Sequence, residues 1–278
     1  MNQENKGLWL VLLGAIAFSL GGLFVKLIPW MPISTNAGRC IFSSLIIYLY
    51  IRISGHKIVI NRTVVLGAVF VAAMLVCYVA SMKMTSAASA IVLEYTAPVF
   101  IILFEALLFQ KKPTRLDLIV CLIVFLGIVL VVSDGSENRT IAGDMLGLLS
   151  GVFYALTIML NDFEDGDSLS SVLFGHMLTV LIGLPFIMKE SDFSSHTLLL
   201  VMALGIFQAG AGYTLLTVGL KHCEALSGSL VASIEPVLNP ILVAVFYGEY
   251  VSFRAIIGAV IVIGTICLYN IVRMKKND

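Results

Sequence analysis

Residues 82–100 read MKMTSAASAIVLEYTAPVF, and residues 220–238 read LKHCEALSGSLVASIEPVL. In each stretch a lysine, Lys83 or Lys221, is followed fifteen positions later by Pro98-Val99 or Pro236-Val237, and the two stretches lie 138 positions apart. Small residues follow both lysines, Ser86 to Ala90 in one copy and Ala225, Ser227, Gly228 and Ser229 in the other. The match extends outward: Leu126-Gly127 answers Ile263-Gly264 at an offset of 137, and Gly7 to Leu10 answers Gly143 to Leu146 at 136. The chain therefore reads as two copies of one unit, residues 1–136 and 137–278.

Each copy is a set of membrane helices. A spanning helix needs about 20 mostly apolar residues. Ten such windows are present: Leu8–Ile28, Ser34–Ile53, Val64–Met82, Ala87–Phe109, Leu116–Val132, Met145–Leu160, Leu169–Met188, Leu198–Gly219, Ala225–Tyr247 and Phe253–Val272. Their unbroken apolar runs speak against a barrel, whose strands alternate over roughly ten residues. Five spans per unit is an odd number, so the second copy must run upside down relative to the first. Inverted repeats are a transporter signature, with the site near the midplane where the repeats meet. The expected fold is all-α, ten transmembrane helices in two inverted five-helix repeats.

Composition agrees. Of 278 residues, 59% are hydrophobic and 12% charged, against about 45–50% and 25% in soluble domains. Mean hydropathy is +1.03. Too few polar residues remain to clothe a water-soluble fold, which excludes a cytosolic enzyme and a secreted disulfide scaffold. The 17 basic and 17 acidic residues cancel, leaving no basic field for nucleic acid. Cys40, Cys77, Cys121, Cys223 and Cys267 are scattered and read as small buried hydrophobes. The polar start Met1 to Lys6 and the full-length apolar run behind it read as a first membrane helix rather than a cleaved leader.

Lysine and arginine set the orientation. With the N-terminus inside, the inner side holds 11: Lys6, Arg52, Lys57, Arg62, Lys111, Lys112, Arg115, Lys221, Arg273, Lys275 and Lys276. The outer side holds six: Lys26, Arg39, Lys83, Arg139, Lys189 and Arg254. A multi-pass protein of the plasma or inner membrane with both termini cytoplasmic is expected.

Pro98 lacks the N–H that would bond the carbonyl of Glu94, and Pro236 and Pro240 do the same to Ala232 and Pro236. Unpaired backbone at membrane depth is tolerated in a packing kink or against a wet cavity; two matched prolines favour the cavity. Glu94 and Glu235 lie nearest the midplane, where a carboxylate is costly and reads as functional. Each is either a carrier of substrate or proton or a neutral helix–helix hydrogen bond. Asn239 follows Glu235 by one turn on the same face. Arg39 and Lys26 fall close to the outer interface, either snorkelling to water or attracting an anionic group or Glu94. His176 and Gln208 lie inside spans. Tyr78, Tyr95, Tyr154 and Tyr213 either pack or present hydroxyls to a substrate. Gly143, Gly147, Gly151 and Ala155 recur every four positions, a ridge against which another helix packs closely. No H-E-x-x-H, G-x-S-x-G, GxxxxGK[ST] or His/Cys cluster is present, so an enzyme is not expected and no cofactor or metal is implied. Asn61-Arg62-Thr63 and Asn138-Arg139-Thr140 match the glycosylation pattern at a level that chance produces often.

Taken together, the two copies ending in Ala97-Pro98-Val99-Phe100 and Glu235-Pro236-Val237-Leu238, the tail Tyr247-Gly248-Glu249, and Gly258 with Gly264 resemble the drug/metabolite transporter superfamily. Within it they resemble the ten-helix EamA-type permeases. Arg39 sits where that family often has an arginine in its second helix. Glu249 departs from the symmetry, since Lys111 holds the matching place in the first half. The resemblance implies a secondary carrier that alternates between inward-open and outward-open states, often an exporter of amino acids, other metabolites or drugs.

The expected function is therefore export of a small metabolite, first an amino acid or similar zwitterion. A carrier of cationic drugs is the alternative, supported by the aromatic and acidic midplane, and a membrane-embedded enzyme the least favoured. The expected substrate-contacting residues are Arg39, Tyr78, Glu94, Tyr95, Pro98, Tyr154, His176, Gln208, Tyr213, Glu235, Pro236 and Asn239. The partners are a small-molecule substrate and the lipid bilayer, with protons as the coupling ion. The assembly is a monomer or a homodimer, and no nucleic acid is involved.

Overall fold

The computed structural model describes residues 3–110, 112–133, 140–161, 163–220, 222–223, 228, 231–232 and 234–274. Lys111, Asn138, Arg139, Lys221, Ala225, Ser227, Ser229, Lys275 and Lys276, on which parts of the repeat and orientation readings rest, lie outside these residues.

All regular structure among the described residues is helical. The first half comprises α1 (Gln3–Leu27), α2 (Pro32–Ser54), α3 (Arg62–Met84), α4 (Ala87–Glu94), α5 (Ala97–Leu108) and α6 (Arg115–Val132). The second comprises α7 (Ile141–Asn161), α8 (Ser168–Ile187), α9 (Ser195–Ala203), a π-helical segment (Leu204–Ala211), α10 (Gly212–Leu220), α11 (Glu235–Tyr247) and α12 (Phe253–Met274). Nine helices among the described residues are long and apolar enough to cross a membrane, counting α4 with α5 as one and the α9–α10 run as one. The apolar α11 is shorter, and part of its expected window lies outside the described residues. Several helices begin earlier than their hydropathy windows. The polar first turns of α1 and α7, with Glu4 and Asp144, suit a helix N-terminus but carry no hydropathy.

Local sequence explains where the spans begin and end. The side chains of Asn61, Ser86, Thr114, Asp167 and Ser194 each accept from the backbone N–H three residues on, satisfying donors that a helix start leaves unpaired. Thr114 and Asp117 complete a reciprocal capping box. Gly55 and Gly248 close α2 and α11 in the left-handed region, at φ 70° and 77°, which glycine adopts without steric cost.

The two sequence copies interlock rather than sit side by side. The closest helix pairs are α3 with α7 and α8, α2 with α8, α6 with α12, and α1 with α10 and α11, each joining one half to the other. The expected glycine ridge is one seam of this interlock. A Cβ on Gly143 would meet the Met84 backbone at 2.8 Å, one on Gly147 the Ser81 hydroxyl at 2.9 Å, and one on Gly151 the Leu93 carbonyl at 2.9 Å. The ridge therefore lets α7 lie directly on the end of α3 and on the break between α4 and α5.

Successive spans alternate in direction, so α1 begins and α12 ends at the same end of the bundle, the end of the termini. At that end His56 Nε2 meets Asp167 Oδ2 at 2.8 Å. Burial alone would raise the Asp167 carboxyl, but hydrogen bonds from Ser170 and His56 outweigh it and hold the group below the usual carboxylate range.

A central cavity with charged walls

The fourth span is broken where the proline predicts. α4 stops at Glu94, Tyr95 and Thr96 turn, and Pro98 falls in the first turn of α5, where its missing N–H costs no ladder bond. Pro236 holds the same place at the start of α11, behind Glu235. Both prolines thus start helices rather than bend them, and each break carries a glutamate.

These breaks meet at a cavity of about 520 Å³ in the middle of the bundle. Of the twelve residues expected at a site, nine line it: Arg39, Tyr78, Glu94, Tyr95, Pro98, Tyr154, Gln208, Tyr213 and Glu235. The Tyr95 hydroxyl donates to Glu235 Oε2 at 2.9 Å, so the break of one half holds the carboxylate of the other.

Three expected residues are placed elsewhere. Pro236 is buried and absent from the lining. Asn239 is fully buried and lies against Gly22 of α1, which has no Cβ to exclude it. His176 sits behind the cavity, its Nδ1 2.6 Å from the Ser43 hydroxyl and its ring edge-on to Tyr213 at 5.6 Å.

Arg39 is corrected more deeply. Position along α2 suggested the outer interface, yet its side chain is 1% exposed. Asn36, Arg39, Cys40 and Ser43 form one buried stripe of α2 that faces α8 and the π-helical segment. Arg39 Nε donates to Asn36 Oδ1 at 2.9 Å, and Nη1 to Gln208 Oε1 at 3.2 Å. The π geometry around Gln208 has no signal in the sequence beyond the glycines that permit it. A Cβ on Gly205 would stand 2.5 Å from the Arg39 carbonyl. π segments of this kind frequently accompany functional sites.

The cavity is asymmetric along the bundle. Its lining reaches Ile158, Leu216 and Asn270, each about one turn from the end of its helix on the side of the termini. Toward the opposite end it stops at Arg39, Tyr78 and Glu94.

Beyond them that end is tied shut. Lys26 Nζ lies 2.7 Å from Glu249 Oε2 and donates to the Thr85 carbonyl at 2.8 Å. Glu249 Oε1 accepts from the Ala87 N–H, the free N-terminus of α4, at 2.6 Å. Lys83 Nζ donates to the carbonyls of Ile28 and Trp30 at the close of α1. Lys26 therefore neither snorkels nor pairs with Glu94. The left-handed turn at Gly248 brings Glu249 back over α4, a contact that the repeat alone could not reveal because Glu249 has no counterpart in the first half. Ile158, Leu216, Asn270 and Cys267, also in the lining, were not expected either. Cys267 is half-exposed, as are Cys121 and Cys223, whereas Cys40 and Cys77 are buried. Among the described residues no three His, Cys, Asp or Glu side chains converge to hold a metal.

A family model described as the EamA-like transporter family matches the chain twice, over residues 5–133 and 141–271. The chain is 28% identical over 193 residues to an uncharacterized transporter of Archaeoglobus fulgidus, covering 69% of each chain. It is 26% identical over 274 residues to the pseudopaline exporter of Pseudomonas aeruginosa, covering 93% of this chain and 94% of that one. A crystal structure of a protein 17% identical superposes with a TM-score of 0.65, over 99% of this chain and 100% of the other. That likeness concerns the fold.

Proposed function

The chain belongs to the EamA-like transporter family, and on that premise we propose that it exports a small metabolite by alternating access, coupled to protons. The favoured substrate is an amino acid or similar zwitterion. The observation that carries this reading is the pair of glutamates, Glu94 and Glu235, at matched helix breaks on the wall of one central cavity. A carboxylate there attracts a substrate ammonium, and a proton competes with that ammonium for the same oxygens. Exchange of one for the other couples outward substrate movement to inward proton movement. Similarity to the pseudopaline exporter supports the direction.

The excess of lysine and arginine at the termini's end supports a cytoplasmic location for both termini, in the cell membrane. In that orientation the cavity faces the cytoplasm and the Lys26–Glu249 clasp closes the outer side. Opening outward then requires this clasp to part. A second reading, efflux of cationic compounds, is favoured by the four tyrosines in the lining, whose faces attract cations.

The test is transport by the purified protein in proteoliposomes, with each of the twenty amino acids as radiolabelled probe and an imposed pH gradient. Accumulation of one or a few, abolished by a protonophore, is expected. Gradient-driven transport of tetraphenylphosphonium with no amino acid moved would instead support the second reading. Movement of neither would contradict both.

A further inference from the structure

We propose that Arg39 is the carboxylate anchor of this cavity, so that a transported molecule lies with its carboxylate on Arg39 and its ammonium toward Glu94 and Glu235. This rests on the proposed zwitterion reading and adds a requirement to it: the ligand must carry the acid group.

Arg39 carries a buried charge that no carboxylate of the described residues meets at ion-pair distance. Arg39 is the largest fully buried side chain among the described residues. Its amide partners, Asn36 and Gln208, are neutral. The ion pairs among the described residues are Lys26–Glu249 and His56–Asp167, and Arg39 is in neither. Its Nη2 has no hydrogen-bond partner among those residues. A buried guanidinium with no carboxylate in direct contact is costly, and this one forms part of the wall of a cavity large enough to hold a ligand, with Glu94 and Glu235 elsewhere in the same lining.

The surroundings hold the group rather than neutralise it. Asn36 fixes Nε from the same helix one turn away, and Gln208 fixes Nη1 across the interface. Gly205 allows that interface to close on the Arg39 backbone. The guanidinium plane is thereby set, with Nη2 left over. A planar fork with free donors suits a carboxylate, which accepts two parallel N–H bonds. Near it Asn36 Nδ2 and His176 Nε2 also lack partners among the described residues.

With one of the two glutamates protonated, as the proposed proton coupling requires, the charges of the lining select the ligand. The lining holds one fixed cation, Arg39, and two carboxyl groups, Glu94 and Glu235. A simple acid satisfies Arg39 but meets the glutamates. A simple amine satisfies the remaining carboxylate but brings no acceptor to the Arg39 guanidinium. An amino acid satisfies both, and so does a larger molecule bearing an amino-acid terminus.

The experiment measures binding to the purified full-length protein, by calorimetry, of the twenty amino acids and of the amine left when each carboxylate is removed, phenethylamine beside phenylalanine for example. For any amino acid that binds, the matching amine is expected to bind at least tenfold more weakly. Arg39→Gln should abolish the difference in affinity between the amino acid and its amine. Arg39→Lys should restore part of the difference. Equal affinity of amine and amino acid in the unaltered protein would overturn the anchor while leaving the glutamate site standing. Binding of neither would overturn the zwitterion reading and the anchor with it. The unaltered protein alone decides the first comparison if Arg39→Gln fails to fold.

Discussion

Replacing Glu249 by glutamine should release the closed end of the cavity. The carboxylate oxygen stands 2.7 Å from Lys26 Nζ, and the two side chains are only 14% and 12% exposed. At that separation and an effective dielectric of 20, the gross attraction is about 6 kcal/mol. Desolvation and side-chain ordering offset most of it. Breaking a fully buried pair costs about 3–5 kcal/mol and an exposed one about 0–1, so a pair of this burial contributes about 2 kcal/mol. The open state lacks the pair, so the closed-to-open ratio should fall by about 30-fold, each 1.36 kcal/mol being a factor of ten. Glutamine keeps an oxygen for the Ala87 N–H; Glu249→Ala loses that bond as well, adding about 1 kcal/mol. The reporter is a cysteine at Ser89, fully buried in the first turns of α4, in a background with the native cysteines replaced. An impermeant maleimide added from the side opposite the termini should label it about 30 times faster in the Glu249→Gln protein, by the same ratio, and faster again in Glu249→Ala. Rates within twofold of the parent in both variants would refute the clasp.

Gly151→Ala should lower the thermal midpoint, because its Cβ would meet Leu93 O at 2.9 Å and Glu94 O at 3.1 Å; overpacking of this kind costs about 1–3 kcal/mol. Gly264→Ala has open space around its Cβ and should be neutral or raise the midpoint slightly; equal loss in both would contradict the ridge. Pro98→Ala or Pro236→Ala should leave the protein folded and slow transport severalfold, since a continuous helix replaces the break; wild-type rates with both replaced would remove the breaks from the mechanism. Asp167 has a folded pKa below its unfolded value, so its contribution is present above the unfolded pKa, near 3.9, and is lost as pH falls through the folded one. Asp167→Asn should therefore lower stability at neutral pH and flatten the loss below about pH 4, read from the unfolding midpoint across pH.

How much of this was legible beforehand depends on what each residue signals. The bilayer forces long apolar runs, so ten windows and an odd number per copy were enough to state the architecture. The breaks were legible because proline has no N–H. Arg39 was misjudged because position along a helix measures depth, whereas its face decides burial. The spacing of Asn36, Arg39 and Ser43 draws a polar stripe on one side of α2, and that stripe is the buried face. The π segment and the Lys26–Glu249 contact had no local signature; they follow from how the halves interlock and from the turn at Gly248.

The most direct test of a proton-coupled site at Glu94 and Glu235 is transport by Glu235→Gln and Glu94→Gln protein, measured with and without a pH gradient in proteoliposomes loaded with the amino acid that the unaltered protein moves. Glutamine keeps the shape and the acceptor for the Tyr95 hydroxyl but cannot take a proton. At least one variant, Glu235→Gln first, should remain folded and lose gradient-driven accumulation. If that residue carries the proton, substrate exchange at equal pH persists and its pH dependence disappears; if it binds the ammonium, exchange fails too. Normal accumulation by both variants across the pH range would contradict the assignment and make the two glutamates structural.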